Sequence, residues 1–476
     1  MSNGFSRRDV VKTSLVLLGS SCLPGPKSKA NAQTAADPHF FLYVNLFPGA
    51  DPSYMFDARP LSFTAANKMA NYTGKEPEAW TGSNGQKTFA SVVTAPMRAL
   101  KDDFSIINGV MMSTFDGHDQ NQAFVFTGSP FGGESFMPHL NRRNPLPLDT
   151  LLMSSLFGVH ITNGGASLST NPFAIASLSQ IFQGNATSVI QDPTDGLIAS
   201  RLEAAGAGAG SFSSGAKQMG KGFASSGELA GKLKATNIQN PTVDPSTGMI
   251  VQPAVPIKLQ VVGEFFKRGI TRSLVIGIDG DYDTHDPQRA SQSPATFAST
   301  IDQLAALINY LKATPYDDAS GKSLFDVTTV MVGSEFGRTM RQLDAPAIDK
   351  TGTDHNTLSN SFLLAGKGVK GGQVIGASDL TDLDAAGNLI NASGAHKQLD
   401  NNLIKLMGRP FDYGTFAPVM DALPATFDNT QYLGFGAVAN TIYRIFGYTE
   451  QDLPYRRFSA GGNVLPFLAP LIATTA

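Results

Sequence analysis

The stretch "TTVMVGSEFGRTM", Thr328–Met340, decides how the fold is read. Its first half is apolar without alternation, the pattern of a strand buried on both faces of a parallel sheet. Its second half places Ser334, Glu335, Arg338 and Thr339 directly after that strand, and "GTDHN", Gly352–Asn356, follows soon after. In open parallel sheets ligands bind outside the carboxyl ends of the strands. A carboxylate and a guanidinium at such an end, followed by a second polar cluster, read as parts of one site.

Working outward, "HFFLYVNLFPGAD" (His39–Asp51), "DFSIINGVMM" (Asp103–Met112), "TRSLVIGIDGDYDTH" (Thr271–His285) and "SNSFLLAGKG" (Ser359–Gly368) read as four further strands. Between the third of these and Thr328, Pro294–Ala313 carries Phe297, Ile301, Leu304, Leu307, Ile308 and Leu311 at helical spacing. Buried strands alternating with amphipathic helices predict an α/β fold: a doubly wound, mostly parallel sheet with helices on both faces. "GKGVKGGQVIG", Gly366–Gly376, leads into "QVIG" rather than a helix, so it reads as a Gly-rich turn and not as a phosphate-cradling loop.

The chain has 476 residues, 42% of them hydrophobic, enough for a sizeable core. Charged residues make up 16%, and Gly 48 with Pro 28 indicates many loops. A formal charge of -3 excludes the strongly basic profile expected of a nucleic-acid binder. Residues 1–32 read as an address: "SRRDVVK" precedes the apolar run "SLVLLGSSCL", and Ala30–Ala32 supplies small residues for a signal peptidase. The pair Arg7 and Arg8 resembles a twin-arginine export signal, with a short amphipathic helix as the alternative. The translocase would then be a partner during export, and the mature protein would be periplasmic or secreted. Removing residues 1–32 takes away Arg7, Arg8, Lys12, Lys27, Lys29 and Asp9, a net +4 that moves the formal charge from -3 to -7. The single cysteine, Cys22, lies in that segment, so the mature chain would have neither disulfide nor thiol chemistry. Lipid anchoring at Cys22 is the competing reading. Residues 33–476 read as one domain, interrupted at 203–235 by a segment rich in Gly, Ala and Ser that is expected to be a mobile insertion or lid.

Each predicted strand end delivers a carboxylate, an imidazole or both: Asp51; Asp116–Gln122 with His118; Asp279–Asp286; Glu335 with Arg338; and Asp354–His355. Carboxylates and imidazoles without thiolates suit Zn, Mn, Mg or Ca. Asp283 and His285 lie two apart, so an extended backbone points both to one side. Asp286 before Pro287 reads instead as a helix cap. Two bland readings compete with a site: Glu335 and Arg338 as a structural ion pair, and Asp354 with His355 as a hydrogen-bonded loop pair.

The order of an export signal, an Asp after the first strand, "DTH", "SEFGRT", "GTDH" and "GKGVKGG" resembles the exported bacterial family catalogued as domain of unknown function 1501, placed within the alkaline-phosphatase-like and sulfatase-like superfamily. The resemblance covers most of residues 38–380. It implies one or two divalent metal ions held by Asp51, Asp283, His285, Glu335, Asp354 and His355, and a hydroxyl or modified nucleophile near the second strand, where Ser113 and Thr114 stand. The chain departs from the superfamily pattern at Glu335-Phe336, where Asp-His is common. Where the family commonly shows two glycines before the first Asp and Ser-His-Phe in the second cluster, Pro48-Gly49-Ala50 and Gly117-His118-Asp119 stand here. The expectation is a metal-dependent hydrolase of phosphate or sulfate esters, small molecules or glycans, with Arg338 gripping the anionic group and His118 moving a proton. The alternative is a non-catalytic exported protein that keeps the fold and binds a glycan, an envelope component or a protein.

Overall fold

The run His39–Leu46 forms β1, Phe40–Asn45, with all six residues buried. In the computed structural model of the chain, residues 38–67, 69–113, 115–128, 135–141, 146–153, 167–169, 231–233, 235–239, 242–278, 280–317, 319–341, 352–380, 403–419, 432–453, 457–459, 462–464 and 466–473 are described. The expectations for residues 1–32, Cys22, Thr114, Asp279 and nearly all of 203–235 lie outside them.

The central sheet continues with β2 (Phe104–Val110), β3 (Leu148–Met153), β4 (Ser167–Ser169), β5 (Thr271–Gly277), β6 (Thr328–Gly333), β7 (Asn360–Gly366) and β8 (Val374–Ile375). These eight strands lie in the order β8-β2-β7-β6-β1-β5-β3-β4. Every neighbouring pair is parallel except those made by β7, which runs antiparallel to β6 and β2. The fold is therefore α/β with a mixed, mostly parallel sheet. Three strands read from the sequence as parallel core, β1, β5 and β6, are neighbours in register: Asn45 lies opposite both Gly277 and Gly333. Their carboxyl ends stop at one level. β7 enters the sheet at the edge where they leave, so its amino end, next to His355, meets the same loops.

Alternation along the strands sorts side chains onto two covered faces. Phe40, Leu42 and Val44 of β1, Leu274 and Ile276 of β5, and Val330 and Val332 of β6 pack on one face. Against them lie helix α4 (Ile257–Lys267) with Val261, Val262, Phe265 and Phe266, and helix α5 (Pro287–Ala313) with Phe297, Ile301 and Leu304; α1 (Ala95–Ala99) joins them through Met97. Phe41, Tyr43, Val275, Met331 and Leu364 face the other way, against α2 (His118–Thr127), α3 (Phe136–Asn141) and α6 (Phe435–Ile445). Each fully buried Phe or Val here contributes roughly 1.5–3 kcal/mol by leaving water. The same two-sided burial explains why these strands show no polar alternation.

Helix α5 starts earlier than its apolar spacing suggests. Asp286 accepts a hydrogen bond from the Arg289 amide at 2.8 Å and Pro287 occupies the first turn, where its missing N–H is no loss. Pro294 lies inside the helix instead of opening it. Among the described residues no helix is long and apolar enough to cross a membrane.

Candidate metal centre

Three of the polar clusters are stitched together by backbone pairing. Gly337–Arg338 pairs antiparallel with His355–Asn356. The Gly352 amide donates to the His285 carbonyl at 2.8 Å, and the Thr353 amide donates to the Thr284 carbonyl at 2.7 Å. This approach needs glycine at 352, where a Cβ would lie 2.0 Å from the Thr284 carbonyl oxygen. The fourth arm is the start of α2. Ser113 and Asn121 brace the loop before it: the Ser113 hydroxyl donates to Asn121 Oδ1 at 2.7 Å, and Asn121 Nδ2 donates to the Phe115 and Gly117 carbonyls.

These arms bring His118, Asp283, His285 and His355 together. One ligand-type atom from each lies within 4.8 Å of all the others, and three of the four residues are half-buried while His285 is exposed. His285 Nε2 stands 3.0 Å from His355 Nε2 and 3.2 Å from Asp283 Oδ1, and His118 Nε2 is 3.9 Å from the same oxygen. As the two-residue spacing predicts, Asp283 and His285 point to one side.

The surroundings fix which nitrogen of two rings faces inward. His118 Nδ1–H donates to Glu335 Oε1 at 2.6 Å, and His355 Nδ1–H donates to the Asp116 carbonyl, so both rings present the lone pair of Nε2. An imidazole whose far nitrogen is held by a carboxylate or carbonyl is the usual arrangement of a metal-bound histidine. Phe336, wholly buried, backs both rings, with centroids 4.3 Å from His355 and 4.8 Å from His118. Burial, with the charges of Arg338 and His118, pushes His355 down from the ordinary histidine value to about 4, which keeps it a neutral lone-pair donor at neutral pH. Partial burial pushes the Asp283 carboxyl up, but Arg338, His285 and His118 outweigh it and hold the group below the usual carboxylate range. The cluster thus joins three imidazoles to one carboxylate, bordered by the Arg338 guanidinium 2.6 Å from Asp283 Oδ1. That donor set could hold a divalent metal ion.

The remaining sequence candidates stand elsewhere. Glu335, 1% exposed, lies behind His118 rather than beside the cluster, and its second oxygen accepts from the Ser334 hydroxyl at 2.7 Å. Asp51 is turned away as a cap, accepting from the Ser53 amide at 2.9 Å; burial raises its carboxyl to about 6 against the lowering effect of Ser53 and Arg338. Asp354 is exposed at the rim, 3.7 Å from His285 Nδ1, and also accepts from the His355 amide. Ser113 is engaged with Asn121 as a loop brace. Arg338 is not placed to grip a ligand. Its side chain has no exposed surface, with Nε donating to the Gly49 carbonyl at 2.9 Å and Nη2 to Asp283 Oδ1 at 2.6 Å. His118, expected to move a proton, stands in the cluster itself.

Sequence reasoning placed Ser334, Phe336 and Asp116 in the polar clusters but gave none of them its role: Ser334 bonded to Glu335, Phe336 backing two rings, and the Asp116 carbonyl holding His355.

No curated protein matches the sequence. Among solved structures, the crystal structure of the lipoteichoic acid synthase LtaP from Listeria monocytogenes shares 12% identity over 71% of this chain and 68% of that one, at a TM-score of 0.29, too low to bear on function. Residues 268–409, the segment that carries Asp283, His285, Glu335, Arg338, Asp354 and His355, match the family described as "Protein of unknown function (DUF1501)".

Proposed function

We propose that this chain is exported by the twin-arginine route and acts as a metal-dependent hydrolase of phosphate or sulfate esters carried by small molecules or glycans. One observation carries the reading: His118 at the start of α2, Asp283 and His285 on the loop after β5, and His355 on the strand paired with Gly337–Arg338 converge at the carboxyl edge of a mostly parallel sheet. Those four residues would hold the ion, which when bound polarises an ester oxygen and lowers the pKa of water. The chain's own part is orientation. Glu335 and the Asp116 carbonyl fix the tautomers of His118 and His355, Phe336 backs both rings, and Arg338 keeps Asp283 ionised. Asp354, 54% exposed beside His285, offers a carboxylate oxygen at the rim to take a proton from an entering water. The Ser113 hydroxyl is engaged with Asn121, and in this reading water is the attacking group.

The sealed Ser113 and the buried Arg338 favour a second reading, a binding protein that keeps the ion but performs no chemistry. Purified mature protein loaded separately with Zn, Mn, Mg and Ca, then assayed on aryl phosphate monoesters, diesters and sulfates, separates the two. Turnover that disappears in Asp283→Asn supports the hydrolase. Stoichiometric metal with no turnover of any ester supports the binding protein, and failure to retain any metal removes the basis of both.

A further inference from the structure

Resting on the metal-centre reading above, we propose that the centre takes one divalent ion only, because the Arg338 guanidinium is a built-in second cation that shares Asp283 with that ion. The recess that holds the guanidinium is made for it. Gly49, at φ +66°, has no Cβ, and one built there would lie 2.8 Å from Nη2 and 2.9 Å from Nε. The carbonyls of Gly49 and Pro48 accept from Nε and Nη2, and Phe336 lies 5.7 Å below the guanidinium carbon. Asp283 is the single carboxylate of the four converging ligands, and Nη2 already stands 2.6 Å from its Oδ1. Nη1 lies 3.3 Å from His285 Nε2, so the positive charge borders the cluster on its buried side.

On that side the Pro48 and Gly49 carbonyls and Asp283 Oδ1 all accept from the guanidinium, so their oxygens are already committed to it. Arginine keeps its charge at any accessible pH and has no exposed surface through which to leave. A second divalent ion there would meet a fixed like charge in a poorly solvated recess, where repulsion is screened far less than in water. Arg338 is thus a positioning residue. It holds Asp283 in place and sets the metal count without touching a substrate.

The test is a zinc titration of the full mature chain against a chromophoric chelator, giving equivalents bound and their affinity, for the wild type, Arg338→Lys and Arg338→Gln. Melting curves check that each variant is folded. The wild type and Arg338→Lys, which keeps a charge in the recess, are expected to bind one tight equivalent. Folded Arg338→Gln is expected to bind its first equivalent at least tenfold more tightly or to take up a second. Two tight equivalents in the wild type overturn the proposal, whether or not the glutamine variant folds. So does a folded Arg338→Gln that binds one equivalent with unchanged affinity, or none. No binding by the wild type is a different result: it removes the metal centre itself.

Discussion

Replacing Glu335 by Gln separates a group that tunes a metal ligand from one that only stabilises the fold. Glu335 is 1% exposed and accepts from His118 Nδ1 at 2.6 Å and from the Ser334 hydroxyl at 2.7 Å. Glutamine has nearly the same shape but one oxygen and one NH2, so it can accept from one partner and must present donors to the other. If the amide oxygen stays on His118, the charge-assisted bond becomes a neutral one. If it turns to Ser334, His118 loses its tautomer lock. Hydrogen bonds to charged groups contribute roughly 1.5–3 kcal/mol, about twice the neutral kind. Loss of a group that orients a metal-bound histidine typically weakens metal affinity by about 10- to 100-fold, equivalent to ~1.4–2.7 kcal/mol. Chelator competition should therefore show Glu335→Gln binding zinc or manganese 10- to 100-fold more weakly, with the number of bound ions unchanged. An affinity within twofold of the wild type together with a lowered melting midpoint would refute the reasoning, leaving Glu335 a purely structural partner.

Asp51→Asn should make metal-free protein more stable at pH 7–8. Burial lifts the folded carboxyl to about 6, above its value near 3.8 in the unfolded chain, so the folded state holds the proton more tightly and stability is lost as pH rises through 6. Removing the titration should gain on the order of 1–3 kcal/mol at pH 7.5 and nothing below pH 4, read from melts across that range; a variant less stable at pH 7.5 would contradict this. The same melts carry a second sign. His355, neutral in the fold and pushed to about 4, makes stability fall as pH drops from 6.5 towards 4, and Asp51→Asn should leave that acid-side loss uncovered. Gly49→Ala puts a methyl 2.6 Å from the Phe336 ring at a φ of +66°, so urea unfolding should show a loss of about 2 kcal/mol or more and metal binding should weaken; an unchanged midpoint would show that the recess yields freely. Replacing both Arg7 and Arg8 by Lys should hold the protein in the cytoplasm, and normal export of that variant would argue against the twin-arginine route.

The central strands were legible because burial on both faces leaves uninterrupted apolar runs, as in Phe40–Asn45 and Thr328–Gly333. Their direction was not. Asn360–Gly366 carries the same apolar signal as its neighbours and yet runs antiparallel, because strand direction depends on the connection and not on the side chains. Leu148–Met153 was missed because Pro145, Pro147 and Asp149 interrupt its run, and Ser167–Ser169 because it holds one large apolar residue. In the site, the residue types at strand ends told which loops converge. They could not tell which side chain faces inward. Glu335 follows its strand as a ligand would, but it points back to His118, whose position on α2 comes from an element more than two hundred residues earlier. Asp51 shows the same limit, since a carboxylate placed as a ligand in sequence becomes a cap once Pro52–Tyr54 coils into a turn.

The claim that His118, Asp283, His285 and His355 form one metal centre is tested most directly by a crystal structure of the mature protein loaded with zinc or manganese, with anomalous scattering used to locate the ion. The account predicts one strong peak among these four residues, ~2.0–2.2 Å from the histidine nitrogens and from an oxygen of Asp283, with Glu335 still bonded to His118. A peak elsewhere in the molecule, or none at the cluster under saturating metal, would contradict it.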